Sequence, residues 1–275
     1  MTLRQQKMTQ YIVLTSGRSG SNYLIDQLNR HPGVYNYGEV LGEWTLPRKT
    51  IGKLLRMGMS YNSYLELFLK SRLVYACVST YSFLHRLVTL RDPHYIPWRK
   101  LSAVGIKDFG INFKDLDIDD FLRTHPDIRV INLYRSNALR RFLSVKMLQQ
   151  SGVVADEGQL NGAKAPNVKR KVFIDLNTFE QDMHRIEEVV QAQMEMIEGV
   201  SEERLLNICF EDLMASEDSK ADYAKQVFEF LGVETLPVKS THKRLSAERL
   251  QDMIENYDEV YRYCKGTRFE AYFDK

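Results

Sequence analysis

Residues 11–24 read YIVLTSGRSGSNYL. Tyr11 to Thr15 form a short run, rich in β-branched and large apolar residues, that stops at Ser16-Gly17, the pattern of a buried strand. From Ser21 onward Leu24, Ile25 and Leu28 recur at helical spacing until Pro32 and Gly33 break the pattern. A strand, a glycine-containing turn and a helix start bring several backbone N–H groups to one point. The positive end of the helix dipole aims there too, so an anion is favoured. Gly17 and Gly20 permit the tight path. Ser19, Ser21 and Asn22 offer side-chain donors, and Arg18 adds a fixed positive charge on a forked guanidinium. The competing structural reading is a polar turn with Ser21 as N-cap.

Three more apolar runs follow: LSAVGIKDF at 101–109, DIRVINLYR at 127–135 and RLLNICF at 204–210. Each reads as a strand, with VYNYGE as a brief extended piece after the first helix. Helical patterns separate them. One runs from Asn137. A second is opened by a capping box of Thr178 and Gln181 and carries Met183, Ile186, Val190, Met194 and Ile197. A third is capped by Ser219 and stopped by Gly232. A further helix is expected over 247–256. Strands alternating with helices predict an α/β fold of three layers, with a central parallel sheet flanked by helices. The 275 residues fit one domain. Residues 40–100 read as several helices and loops without a strand, and 151–172 as a polar loop.

Net charge is +2, from 38 basic and 36 acidic residues, which gives no overall case for nucleic acid or an anionic surface. Local clusters of positive charge remain to be sought. Cys77, Cys209 and Cys264 are odd in number and far apart, so neither a disulfide framework nor a Cys-x-x-Cys metal site is suggested. No apolar stretch approaches membrane-spanning length and the start, MTLRQQKMTQ, is polar. A cytoplasmic protein with reduced thiols is the simplest expectation.

In parallel sheets ligands sit beyond the carboxyl ends of the strands. That directs attention to Ser16–Asn22, Lys107, Arg135 and Glu211–Asp212. The first loop lacks the Gly-x-x-x-x-Gly-Lys-Ser/Thr of nucleotide triphosphatases. It also lacks Gly-x-Gly-x-x-Gly, although Glu39 falls about where a ribose-binding acid would lie. After the third long strand, Arg135 is followed by Asn137, Arg140, Arg141 and Ser144 at spacings that share one helix face. An Arg at a strand end and a Ser two turns on could grip one phosphate. Alone, that pattern also fits a solvated basic face.

Together the two loops resemble those of the sulfotransferases that use 3′-phosphoadenosine 5′-phosphosulfate (PAPS). SGRSGSNYL is similar to their 5′-phosphosulfate loop, LYRSNALRRFLS to their 3′-phosphate motif and CFEDL to their Tyr-Glu-Asp-Leu segment. The order of motifs spans most of the chain. The likeness is strongest to bacterial glycan- and lipid-modifying members. It implies a P-loop-type fold in a single sulfotransferase-like domain, residues 1–275. Arg18, Ser19, Gly20, Ser21 and Asn22 would hold the 5′-phosphosulfate, and Arg135 and Ser144 the 3′-phosphate. PAPS would be co-substrate, the adenosine bisphosphate (PAP) its product, and no metal would be required. Phe210 falls where an adenine-side aromatic is common, or is a core residue. Lys265-Gly266 resembles a late phosphate contact. Lys243 and Arg244 have no firm match.

The acceptor hydroxyl must lose a proton as it attacks sulfur. Phenol- and steroid-sulfating members place a His two residues after a strand-end Lys. Here GIKDF keeps Lys107 and has Phe109 in that place. Glycan-modifying members resemble VYNYGEV, which makes Glu39 the expected base, with Glu43, His85 and His94 as rivals. Lys107 would offset charge on the bridging oxygen, and Arg18 would join it as a catalytic residue by offsetting charge on the departing adenosine bisphosphate. The acceptor, a small molecule, glycan or lipid, would meet 40–100 and 151–172, with Lys169-Arg170-Lys171 facing an anionic one or simply solvated. Nucleic acid is not an expected partner, and the oligomeric state is not legible. Two other classes stay open: a P-loop kinase of unusual type, and a non-catalytic nucleotide-binding module on a sulfotransferase frame.

Overall fold

A computed structural model of the chain describes residues 8–90, 95–151, 171–238, 240 and 249–273. His94, Lys169, Arg170, Lys243, Arg244 and nearly all of 151–172 lie outside them. The chain divides into two compact units: Met1–Tyr134 with Ala192–His242, and Arg135–Gln191 with Lys243–Lys275.

The first unit is built on a five-stranded parallel sheet in the order β2-β3-β1-β4-β5. The strands are β1 (Thr9–Thr15), β2 (Val34–Asn36), β3 (Ala103–Phe109), β4 (Ile128–Tyr134) and β5 (Leu205–Cys209). β1 is central and its residues from Tyr11 to Thr15 are buried, as its unbroken apolar run requires of a strand covered on both faces. Alternate residues serve opposite layers. Ile12 and Leu14 pack with Phe68, Phe113, Phe121 and Met196. Tyr11 and Val13 pack with Leu24, Leu28, Val227 and Phe228. The register sets Thr15 beside both Phe109 and Leu133, so the loops that follow β1 and β3 emerge at one edge.

The helices of this unit are α1 (Ser21–Asn29), α2 (Leu46–Thr50), α3 (Lys53–Arg56), α4 (Tyr61–Lys70), α5 (Arg72–Val88), α6 (Gly110–Asp115) and α7 (Phe121–Thr124). The second unit contains α8 (Ala138–Ser151), and α9 (Leu176–Ile197) starts there. Back in the first unit are α10 (Phe210–Leu213) and α11 (Glu217–Leu231), and α12 (Tyr257–Cys264) belongs to the second. Among the described residues 40–100 is helix and loop without a strand, as expected. The second unit has its own core of Leu139, Leu143, Phe179, Met183, Ile254 and Val260.

Three helix boundaries differ from the sequence reading. α9 begins before Thr178: Asn177 N–H donates to Asp175 Oδ1 at 2.9 Å, so Asp175 is the cap. α11 is capped by Ser216, whose Oγ accepts from Ser219 N–H at 2.9 Å. Gly232 does stop that helix, in the left-handed region at φ 69°. Of the helix expected over 247–256, the described residues, from 249 on, form a single 3-10 turn at Leu250–Asp252. The backbone beyond it pairs elsewhere: Val172 N–H donates to Met253 O at 2.8 Å and Glu255 N–H to Val172 O at 2.9 Å. Groups committed to that bridge cannot close helical turns.

Candidate active site

The loop after β1 turns through three left-handed residues, Gly17 at φ 78°, Arg18 at φ 55° and Gly20 at φ 76°. Successive backbone N–H groups in such a path form a concave nest that suits an anion. Thr15 Oγ1 and Ser19 Oγ share a 2.5 Å hydrogen bond, and Gly17 N–H donates to Thr15 Oγ1 at 3.2 Å. The buried Ser19 hydroxyl therefore fixes the shape of the loop. Ser21 is not the helix cap. Gly20 occupies that position, and no side chain caps the helix. Arg18 and Asn22 are exposed at the mouth of the turn.

The two glycines are also pressed by aromatic rings. A Cβ on Gly20 would meet Phe210 Cε2 at 2.6 Å, and one on Gly17 would meet Phe109 Cε1 at 3.2 Å. Phe109, which stands where the phenol-sulfating pattern has His, thus backs the loop. Phe210 is buried against it as well.

Beside this loop, Lys107 Nζ lies 2.5 Å from Glu39 Oε1 and 3.4 Å from Asn22 Oδ1. Glu39 and Lys107 are both buried. Trp44 Nε1–H donates to the other carboxylate oxygen of Glu39 at 3.1 Å, though 56% of Trp44 is exposed. The backbone holds this arrangement. Asn36 N–H donates to Asn29 Oδ1 at 2.7 Å, and Gly38 N–H to Asn36 Oδ1 at 2.8 Å. Lys107 N–H then donates to Gly38 O at 3.0 Å, which seats the segment after β2 against β3.

Asp108 and Trp44 were not singled out from the sequence. Asp108 is fully buried and accepts from the N–H groups of Val40, Leu41 and Phe109 and from Asn112 Nδ2. Burial pushes its carboxyl above the usual range, and those hydrogen bonds oppose the rise. Its signal in the sequence is a lone acid at the end of an apolar strand. Among the rival bases, Glu43 is exposed beyond the loop, and His85 is exposed on α5.

In the second unit Arg135 and Arg141 are each only 5% exposed, so this helix face is not simply solvated. Burial first, and then the charge of Arg135, push the Arg141 guanidinium down to about 10. Two buried like charges within reach of each other are stabilised when an anion lies against them. Arg141 Nη1 also donates to Ile186 O at 3.1 Å. Asn137 is the cap of α8: its Oδ1 accepts from Arg140 N–H at 2.9 Å and its Nδ2 donates to Tyr272 O at 2.8 Å. Ser144 lies three residues beyond Arg141 and is half-buried. Gly266 N–H donates to Glu270 Oε2 at 2.8 Å, a local turn contact. Among the described residues no group of three or more His, Cys, Asp or Glu side chains is gathered to hold a metal ion.

No family model matches the chain, and no curated protein matches its sequence. Solved structures similar to it include three sulfotransferases. The sulfotransferase domain of the Synechococcus PCC 7002 olefin synthase is 15% identical, with a TM-score of 0.43, over 98% of this chain and 88% of that one. A sulfotransferase from Alicyclobacillus acidocaldarius is 14% identical, with a TM-score of 0.46, over 97% and 96%. The sulfotransferase domain of the curacin biosynthetic pathway is 13% identical, with a TM-score of 0.46, over 98% and 90%.

Proposed function

We propose that this chain transfers a sulfuryl group from PAPS to a hydroxyl of a carbohydrate or glycolipid. The observation that carries the reading is the buried Glu39–Lys107 pair set against the nest-shaped loop after β1. A base, a cation and an anion cradle are the three parts that such a transfer asks of a protein.

The donor supplies an activated sulfuryl group on a phosphate leaving group. The backbone N–H groups of the loop, with Arg18 and Asn22, hold its 5′-phosphosulfate. Arg135 and Ser144 take the 3′-phosphate on the strength of their motif, and the burial of Arg135 close enough for its charge to act on Arg141 supports that assignment. Glu39 accepts the proton of the acceptor hydroxyl. The freed oxygen forms its bond to sulfur as the bond from sulfur to the 5′-phosphate oxygen breaks. Lys107 sits between Glu39 and Asn22 and offsets the charge that collects on the departing bisphosphate. Trp44 steadies the second carboxylate oxygen and leaves much of its ring available to an acceptor. A sulfuryl group carries less charge than a phosphoryl group, so this transfer does not call for a metal clamp.

The test is thermal stabilisation by adenosine 3′,5′-bisphosphate, beside AMP and Mg-ATP, in wild type and Arg135→Ala, followed by sulfate transfer from labelled PAPS. At about 100 times its dissociation constant a ligand adds about 2.7 kcal/mol of stability. A shift specific to the bisphosphate and lost in the variant is expected. A shift with Mg-ATP alone would give the loop to a kinase. Bisphosphate binding without transfer to any sugar or glycolipid offered would favour a non-catalytic module.

A further inference from the structure

Among the described residues fourteen large apolar side chains are exposed, and eleven of them fall between Trp44 and Tyr95. Helix α5 carries the densest part. Tyr75 and Ser79 are its buried residues. Its exposed stripe holds Leu73, Cys77, Tyr81, Leu84, Leu87 and Val88, which recur at helical spacing; Leu73 is 73% and Val88 82% exposed. A helix on the surface of a protein that meets only water turns charged residues outward. This one turns its apolar stripe outward.

The charges around the stripe are predominantly positive. α5 contains no Asp or Glu, and its ionisable side chains besides tyrosine and cysteine are Arg72, His85 and Arg86. Residues 44–91 hold eight Lys or Arg against a single acid, Glu66, a local charge of +7 in a chain whose net charge is +2. Leu54 and Met57 add exposed apolar side chains next to exposed Lys53 and Arg56. Among the described residues no helix is long and apolar enough to cross a membrane. An apolar stripe flanked by cations on a helix too short to span is the pattern of an element that lies in a lipid interface.

We propose that the surface formed by residues 44–90, centred on the outer face of α5, docks on an anionic lipid bilayer. The apolar stripe enters the headgroup boundary, and Lys49, Lys53, Arg56 and Arg72 meet anionic headgroups. A second copy of the chain is a poorer occupant, because a symmetric pairing sets one +7 segment against another. The inference rests on this surface and not on sulfuryl transfer. If that reading also holds, the docked protein meets acceptor hydroxyls carried in the same bilayer.

The experiment is co-sedimentation of the full chain with vesicles of phosphatidylcholine alone or mixed with phosphatidylglycerol, at low and high salt. A polarity-sensitive dye on Cys77, exposed in the stripe, reports burial in a Cys209→Ser background. The wild type is expected to sediment with the anionic vesicles only, to come off at high salt and to show a blue-shifted dye. The double variant L84E/L87E should lose about tenfold or more in partition coefficient. Because both positions are exposed, its circular dichroism and unfolding midpoint should match wild type. As a second variant, K49E/K53E should weaken binding to anionic vesicles without touching the apolar stripe. Equal binding to both vesicle types, no binding to either, or full binding by L84E/L87E would overturn the proposal. So would a concentration-dependent dimer, abolished by L84E/L87E, in a protein that ignores vesicles.

Discussion

Lys107 Nζ and Glu39 Oε1 stand 2.5 Å apart, with only 3% and 6% of the two side chains exposed. A buried pair at that distance is held by its partner charges, and removing one strips the other of that counter-charge. Lys107→Met should therefore cost about 3–5 kcal/mol of stability. The double variant Lys107→Met/Glu39→Gln should recover most of the loss. Urea unfolding of the two single variants and the double one checks this, and additive losses would refute the pairing.

Glu39→Gln keeps the shape of the side chain and removes the base. Transfer should fall by about 10²–10⁴-fold. Affinity for adenosine 3′,5′-bisphosphate should stay near that of wild type, since Glu39 is assigned to the acceptor side. Single-turnover rates beside calorimetric titration separate the two effects.

Gly20→Ala meets two obstacles at once, a left-handed backbone at φ 76° and the Phe210 ring at 2.6 Å. The backbone and packing costs together should reach about 2–4 kcal/mol. Phe210→Leu in the same chain should return the packing part only. Unfolding midpoints of the single and double variants measure the split, and a double variant as stable as wild type would show that backbone strain is negligible.

Five tyrosines, Tyr11, Tyr35, Tyr37, Tyr64 and Tyr75, have hydroxyls raised above the ordinary value of 10.0, chiefly by burial, with Tyr35 pushed up to about 12. The unfolded chain releases those protons near 10.0 while the native chain retains them. Their contribution to stability is complete below that pH and is lost as pH rises toward the native values. Urea midpoints should hold steady from about pH 8 to 9 and fall above about pH 10. Tyrosinate absorbance should appear in step with unfolding for this set, and earlier for exposed tyrosines.

The strands are legible because each is a short apolar run closed by a turn, and β1 also announces its central place by being apolar on both faces. Helix starts are harder where two caps compete. Ser216 wins over Ser219 because it leaves Glu217 and Asp218 in the first turn, where the helix dipole favours them. Asp175 wins over Thr178 with a charged acceptor. The stretch before α12 has a helical pattern, but its backbone answers to Val172, far away in sequence. The same distinction applies to the site. Glu39 and Lys107 can each be picked out from a motif, whereas their contact spans 68 residues and depends on the pairing of Asn36 with Gly105. Asp108 looks like a polar strand end, and only its four donors show that it organises the turn behind Glu39.

The core of the second unit joins Leu143, Phe179 and Met183 to Leu250, Ile254 and Val260. At a synthesis rate of about 5–20 residues per second, the first set leaves the ribosome seconds before the second set exists to cover it. By then β1 to β5 have all been made, so the sheet can assemble while this apolar surface is still bare. Each newly made molecule therefore passes through an interval in which a holding chaperone can reach that surface, and the interval closes only when the stretch from 250 to 260 arrives.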